Sequence, residues 1–349
     1  MTPELVRFAQ GLSASLLLAM AYVPAALGFY IALRCLRFPD LTVEGAFVWG
    51  QVVSAAFICD GSSPGVALAV AAIGGSVCGL LTALQNVKLR VPAFVCGIVT
   101  TFIVISVNYK VIALVNKSVA GATAQDQQAG PRSEINLNSS GVFEWAMQAD
   151  RNNATFGEYR LMQLFILSLF VMVVVAVVFL FLRSKLGLQL RAFGVHRRTG
   201  SVYRVNAPWA IYLGLAVSNA LVAWSGALFT QINRLASIDL GANLLIPLLA
   251  AIVLGEFFVV EVWQRIVCRL FYNGKVVPPL LSRPLAMTLA PCVGYLLYTT
   301  VFILISVVVL PDYTKLDTHS KYWLTAAMIL LILIYRRFIG QKTDPGDVI

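Results

Sequence analysis

Long apolar runs separated by short polar breaks set the pattern of this chain. Nine runs read as membrane-crossing helices: Gly11–Leu33, Leu41–Cys59, Gly65–Leu84, Ala93–Val115, Leu161–Leu182, Pro208–Ile232, Leu244–Trp263, Leu285–Leu310 and Tyr322–Ile339. A helix rises about 1.5 Å per residue, so about twenty residues cross a hydrocarbon layer of about 30 Å. Pro24 and Gly28 predict a kink in the first run, tolerable within a packed bundle. Small residues recur in the third run (Gly74, Gly75, Ser76, Gly79) and the sixth (Ser218, Asn219, Ser225, Gly226). Such stripes let helices approach closely in lipid. The expected fold is an all-α polytopic membrane protein, read as one transmembrane domain over residues 1–349.

The polar breaks orient these runs. Arg34 and Arg37, Lys88 and Arg90, the segment Ser184–Asn206, Arg265–Arg283, and Arg336, Arg337 and Lys342 all fall on one face if the N-terminus is outside and the C-terminus inside. Lys and Arg hold short loops on the cytoplasmic side. In the longest polar stretch, Asn116–Arg160, acids slightly outnumber bases, which suits the extracytoplasmic side. Composition agrees: 59% of the 349 residues are hydrophobic and only 12% charged, against about a quarter in a soluble domain. The net charge of +10 therefore reflects membrane orientation, and no nucleic-acid partner is expected.

Candidate chemistry is sparse. The six cysteines have no paired spacing, His196 and His319 lie far apart, and no GxxxxGK[ST] loop occurs. No catalytic residue, metal or cofactor is expected, and the chain is not expected to bind and hydrolyse ATP through such a loop. Asp40, Thr42 and Glu44 stand at the mouth of the second run, where ionisable groups mark function by default. The same acids also suit the first turn of a helix, through capping and the helix dipole. Whether that run is a full span or re-entrant stays open. Asn219 in the sixth run and Asp239 in the loop after it are further polar candidates for a solute pathway. Gly28–Gly45 and Gly226–Gly241 echo each other faintly, each passing from an apolar helix through Arg to Asp, Leu and Gly, as inverted repeats of transporters do.

Ser184–Asn206 carries five bases and no acid, with apolar residues among the charges and glycines at 187, 194 and 200 that divide it into short pieces. It suits either a plain cytoplasmic loop or a surface helix offered to a soluble partner.

Two segments resemble a known family: LRFPDLTVEGAFVWGQVV, and GLQLRAFG…RVN followed by LGLAVSNALVAWSGALFTQ and LLAAIVLGE. They are similar to permeases of ABC importers of the branched-chain amino acid class, most of all to the tryptophan/tyrosine transport permease subgroup. The resemblance runs from Gly28 to about Phe338. It implies a multi-pass protein of the bacterial inner membrane. It also implies a separate ATPase subunit, an extracytoplasmic substrate-binding protein, and two copies of the permease forming the pathway. By the same resemblance, Gly187, Leu190, Arg191, Phe193, Gly194, Val195, Arg197 and Arg198 belong to the segment that couples to the ATPase. The sequence departs from the family pattern at Arg197, Gly200 and Arg204, and part of Lys117–Glu134 looks inserted. The solute is expected to be an amino acid or similar small molecule. A stand-alone ion- or proton-coupled transporter using Asp40 and Glu44 is the alternative from a different class.

Overall fold

A computed structural model describes residues 3–119, 134–137, 156–195, 207–241, 244–259, 279–309, 325–327, 330 and 334. The first helix, α1, spans Pro3–Tyr30 and runs without interruption into a π-helical turn, Ile31–Cys35. Then come α2 (Thr42–Cys59), α3 (Pro64–Val87) and α4 (Ala93–Val119). After strand β1 (Glu134–Asn136) follow α5 (Phe156–Arg183), α6 (Lys185–Val195) and α7 (Ala207–Asn233). Strand β2 (Leu235–Ser237), α8 (Leu245–Glu256) and α9 (Pro279–Val309) complete the described elements.

Seven of the described helices are long and apolar enough to cross a membrane. They match the first six expected runs and the eighth. The seventh is shorter, an apolar helix over Leu245–Val259, and the ninth lies almost wholly outside the described residues.

Residues Ala9–Leu245 form one compact unit. At its centre are α2, α3 and α7, and the close packing depends on missing side chains. A Cβ on Gly75 or Gly79 of α3 would collide with the α7 backbone at Asn219 or Leu215, and one on Gly50 of α2 would collide with Ala223. Backbones that approach this closely gain dispersion contacts, which drive helix association where burial of apolar surface cannot. The gradient of burial separates core from rim: 72% of the α2 span is buried, against 22% for the spans in α4 and α5. Phe102 and Ile103 on α4, and Phe165 and Met172 on α5, face outward, as lipid-facing positions do.

The short strands pair antiparallel, Ile135 opposite Ala236. The bundle's connectivity requires the ends of α4 and α7 to lie on one side, and the strand pairing joins the segments that follow them. Ile135, Ala236 and Ile238 pack with Val48, Val52 and Ile112 in one apolar cluster. The basic helix α6 lies at the opposite end, packed on the π-helical turn and the first turns of α7.

The described residues from Ile246 onward, together with Pro3–Phe8, form a second unit. In it α8 and α9 cross at glycines: a Cβ on Gly255 would strike the Ala290 carbonyl, and one on Gly294 the Ala251 carbonyl. The Tyr298 hydroxyl lies 2.9 Å from that of Thr325.

Candidate coupling and translocation site

The break between α1 and α2 is the feature around which the candidate residues gather. Helix α1 ends in the π-helical turn, where Leu36 N–H donates to the Ile31 carbonyl at 3.0 Å and Phe38 N–H to that of Ala32 at 2.9 Å. Arg37 then takes a left-handed backbone, φ 51°, a conformation unusual for a residue with a side chain. The chain proceeds without helix to Leu41. Along this strap the residues alternate: Phe38 and Asp40 are buried, Arg37 and Pro39 exposed.

Asp40 is fully buried. One of its carboxyl oxygens accepts the Thr42 N–H at 2.9 Å, and the other accepts Asn219 Nδ2 at 2.7 Å. The first bond fixes the start of α2, as an aspartate two residues upstream of a helix can do. The second ties that start to α7. Asn219 Nδ2 also donates to the Leu215 carbonyl at 3.1 Å, while Asn219 Oδ1 has no hydrogen-bond partner. Burial pushes the Asp40 carboxyl above its ordinary value, and hydrogen bonds from Thr42 and Asn219 pull it back. Buried charge is costly and hydrogen bonding to the ionised form offsets part of the cost.

A chain of hydroxyls extends from this point. Thr42 Oγ1 lies 2.7 Å from Thr82 Oγ1, Thr82 Oγ1 donates to Thr100 Oγ1 at 3.0 Å, and Gln85 Nε2 donates to Thr100 Oγ1 at 3.2 Å. Next to it Thr101 Oγ1 donates to the Leu41 carbonyl at 2.9 Å. These bonds stitch α2, α3 and α4 together. Their depth follows from register. Asn219 is near the middle of α7, whereas Thr82 and Thr100 stand close to the Val87 and Ala93 ends of α3 and α4. The start of α2 is therefore set inside the bundle, away from its surface.

Of the pathway residues named from the sequence, Asp40, Thr42 and Asn219 come together. Glu44 stands one turn along α2, half-buried, and accepts the Leu245 backbone N–H. Asp239 is exposed in the tight turn after β2, whose Gly241 packs on α2 at Glu44 and Val48. The hydroxyls of Thr82 and Thr100 and the amide of Gln85 were not among those named. Thr82 and Thr100 are isolated polar residues inside apolar runs, and Gln85 stands just after the third.

The basic segment is a continuous helix over Lys185–Val195, not a series of short pieces. Gly187 and Gly194 are contact points within it. A Cβ on Gly187 would strike the Phe181 carbonyl, and one on Gly194 the carbonyl of Cys35. Leu190 and Phe193 are buried. Leu190 meets α7 at Gly214, where Leu36 of the strap also packs. Arg191 is half-buried close to Cys35. Lys185, Leu186, Leu188 and Gln189 form the outward face. Arg197 and Arg198, and the side chain of Val195, lie outside the described residues. Among those described, no group of His, Cys, Asp or Glu is arranged to hold a metal ion.

Comparison with known proteins bears on this arrangement. The model of the family described as "Branched-chain amino acid transport system / permease component" matches residues 11–335. An uncharacterized protein of Rickettsia prowazekii (strain Madrid E) is 29% identical over 240 residues, 68% of this chain and 74% of its own. A tyrosine transport system permease protein of Clostridioides difficile (strain R20291) is 26% identical over 230 residues, 66% of this chain and 68% of its own. No solved structure matches the chain.

Proposed function

The chain belongs to the permease family of branched-chain amino acid transport systems, and from that premise we propose how its parts share the work. It is the multi-pass membrane permease of an ABC importer. Permeases of this kind are not themselves enzymes; they operate with an ATPase and a substrate-binding protein. The proposed arrangement has nine spans, N-terminus outside and C-terminus inside, with two copies forming the pathway because two ATPase subunits need two docking sites. The solute is an amino acid or similar small molecule. The tyrosine permease among the relatives favours that class.

Helix α6 docks the ATPase. The observation that carries this reading is its two-sidedness: Gly187, Leu190, Phe193 and Gly194 fasten it to the bundle, while Lys185, Leu186, Leu188 and Gln189 face away. Arg191 and Val195 of α6, with Arg197 and Arg198 after it in the sequence, are proposed to share this contact. Asp40, Thr42, Glu44, Asn219 and Asp239 are proposed to line or gate the solute pathway. The long segment 116–160 is proposed to meet the substrate-binding protein.

Affinity purification from native membranes in mild detergent tests the docking site, comparing wild type with Arg191→Glu/Arg198→Glu. An ATPase recovered with wild type and lost from the double variant is the expected result. Equal recovery with both would remove these arginines from the contact.

A further inference from the structure

The strap between α1 and α2 touches two things that the mechanism must connect. At its lower end, Gly194 of α6 sits on the Cys35 carbonyl, and Leu190 of α6 shares Gly214 with Leu36. At its upper end, Asp40 holds the first N–H of α2 and the side chain of Asn219. The strap itself is six residues, Leu36–Leu41, with a left-handed arginine and no helix. We propose that this strap transmits displacement of α6 to the start of α2, and that the Asp40–Asn219 hydrogen bond is the clasp that opens when it does. The proposal rests on α6 being the ATPase docking helix.

Three physical features favour this route over motion of α2 as a rigid whole. The π-helical turn at Ile31–Cys35 is the weak section of α1, because wide turns pack their backbone bonds less well and cluster at functional sites. A helix with a gap after it bends at the gap, since the hinge lies where few backbone bonds must break. The bonds that hold this section include Leu36 to Ile31 and Phe38 to Ala32 within the turn, Thr101 to the Leu41 carbonyl, and the two at Asp40. The clasp is also two-valued. A buried carboxyl that loses its donors bears an uncompensated desolvation cost, so half-open positions are disfavoured and the bond is made or broken as a unit. Asn219 Oδ1, buried and unpartnered in the closed form, is free to take a new donor in the open one. Asp40 and Asn219 are positioning residues on this reading. They set where α2 begins and need not touch the solute.

Hydrogen exchange with mass spectrometry tests the proposal on wild-type permease in lipid nanodiscs. The permease is examined alone, with the ATPase that copurifies with it, and with a non-hydrolysable ATP analogue added. Peptides from Lys185–Gly194 should slow when the ATPase binds, and those covering Leu36–Phe47 should exchange several-fold faster when the analogue is added. Slowing at α6 with no nucleotide response at Leu36–Phe47 would overturn the strap and leave the docking helix standing. No slowing at α6 would overturn both, the strap having lost its driver. Asn219→Ala gives a second reading. Exchange at Leu36–Phe47 should already be fast without nucleotide and gain nothing from it, and a wild-type response would show that this bond is not the clasp.

Discussion

Asp40 concentrates the energetics of the site in one side chain. It is buried, and its two oxygens serve two donors. Removing the acceptor by Asp40→Ala leaves the Thr42 N–H and one Asn219 N–H unmet, at about 1–3 kcal/mol for each buried group left unpaired. The expected result is a clear loss of thermal stability in detergent or nanodiscs. Asp40→Asn asks a different question, because it keeps the shape and cannot ionise. A carboxyl raised by burial contributes stability that is complete below its ordinary value of 3.8 and is lost as pH rises through the folded value. Wild type should therefore weaken relative to Asp40→Asn as pH is raised from about 4 to about 8, a range that also brackets ordinary carboxylate titration. A melting-temperature difference that stays flat across that range would mean that the two hydrogen bonds outweigh burial and keep Asp40 ionised.

At the scale of elements, the sequence made the spans legible and hid the seams between them. Hydrophobic runs reveal spans because each long run must be solvated by lipid or protein. The seams depend on which backbone carbonyl meets which glycine, and periodicity carries no trace of that. Gly187 and Gly194 read from the sequence as helix breakers. In the fold they are where α6 presses on Phe181 and Cys35, so the missing Cβ serves contact, not chain reversal. Asp40 was legible as a functional candidate because acids are rare in apolar runs, but its pairing with Asn219, 179 positions away, is a tertiary fact. Thr82 and Thr100 were passed over because a lone threonine in a span satisfies itself on its own helix, as Thr82 does in part through the Cys78 carbonyl at 3.2 Å. Two predictions belong to this scale. Gly79→Val places a branched side chain against the Leu215 carbonyl, and should lower stability by about 1–3 kcal/mol as overpacking does, read as a fall in melting temperature. Leu188 is 59% exposed on the outward face of α6, so Leu188→Glu changes that face. It should reduce ATPase recovery while the melting temperature of the isolated permease stays at the wild-type value. A fall in both would show that Leu188 supports the fold.

For the Ala9–Leu245 unit taken whole, sidedness is the property on which coupling depends. Pairing of β1 with β2 gathers the segments after α4 and α7 at one end, and α6 packs at the other, against the π-helical turn and Gly214. The internal geometry thus separates two faces before any membrane is considered, and in the proposed orientation the face carrying the basic residues is the cytoplasmic one. That assignment is open to direct measurement. Lys117, exposed near the end of α4, and Lys185, exposed at the start of α6, can each be replaced by cysteine in a background where the native cysteines are serine. A membrane-impermeant maleimide applied to intact spheroplasts should label Lys117→Cys at once, and Lys185→Cys only after permeabilisation. Labelling in the reverse order would invert the protein. The face carrying α6 would then look away from any cytoplasmic ATPase, and α6 could not be its docking helix. Labelling of both positions from outside would contradict the bundle itself, because among the described residues α5 is the one candidate span between Lys117 and Lys185.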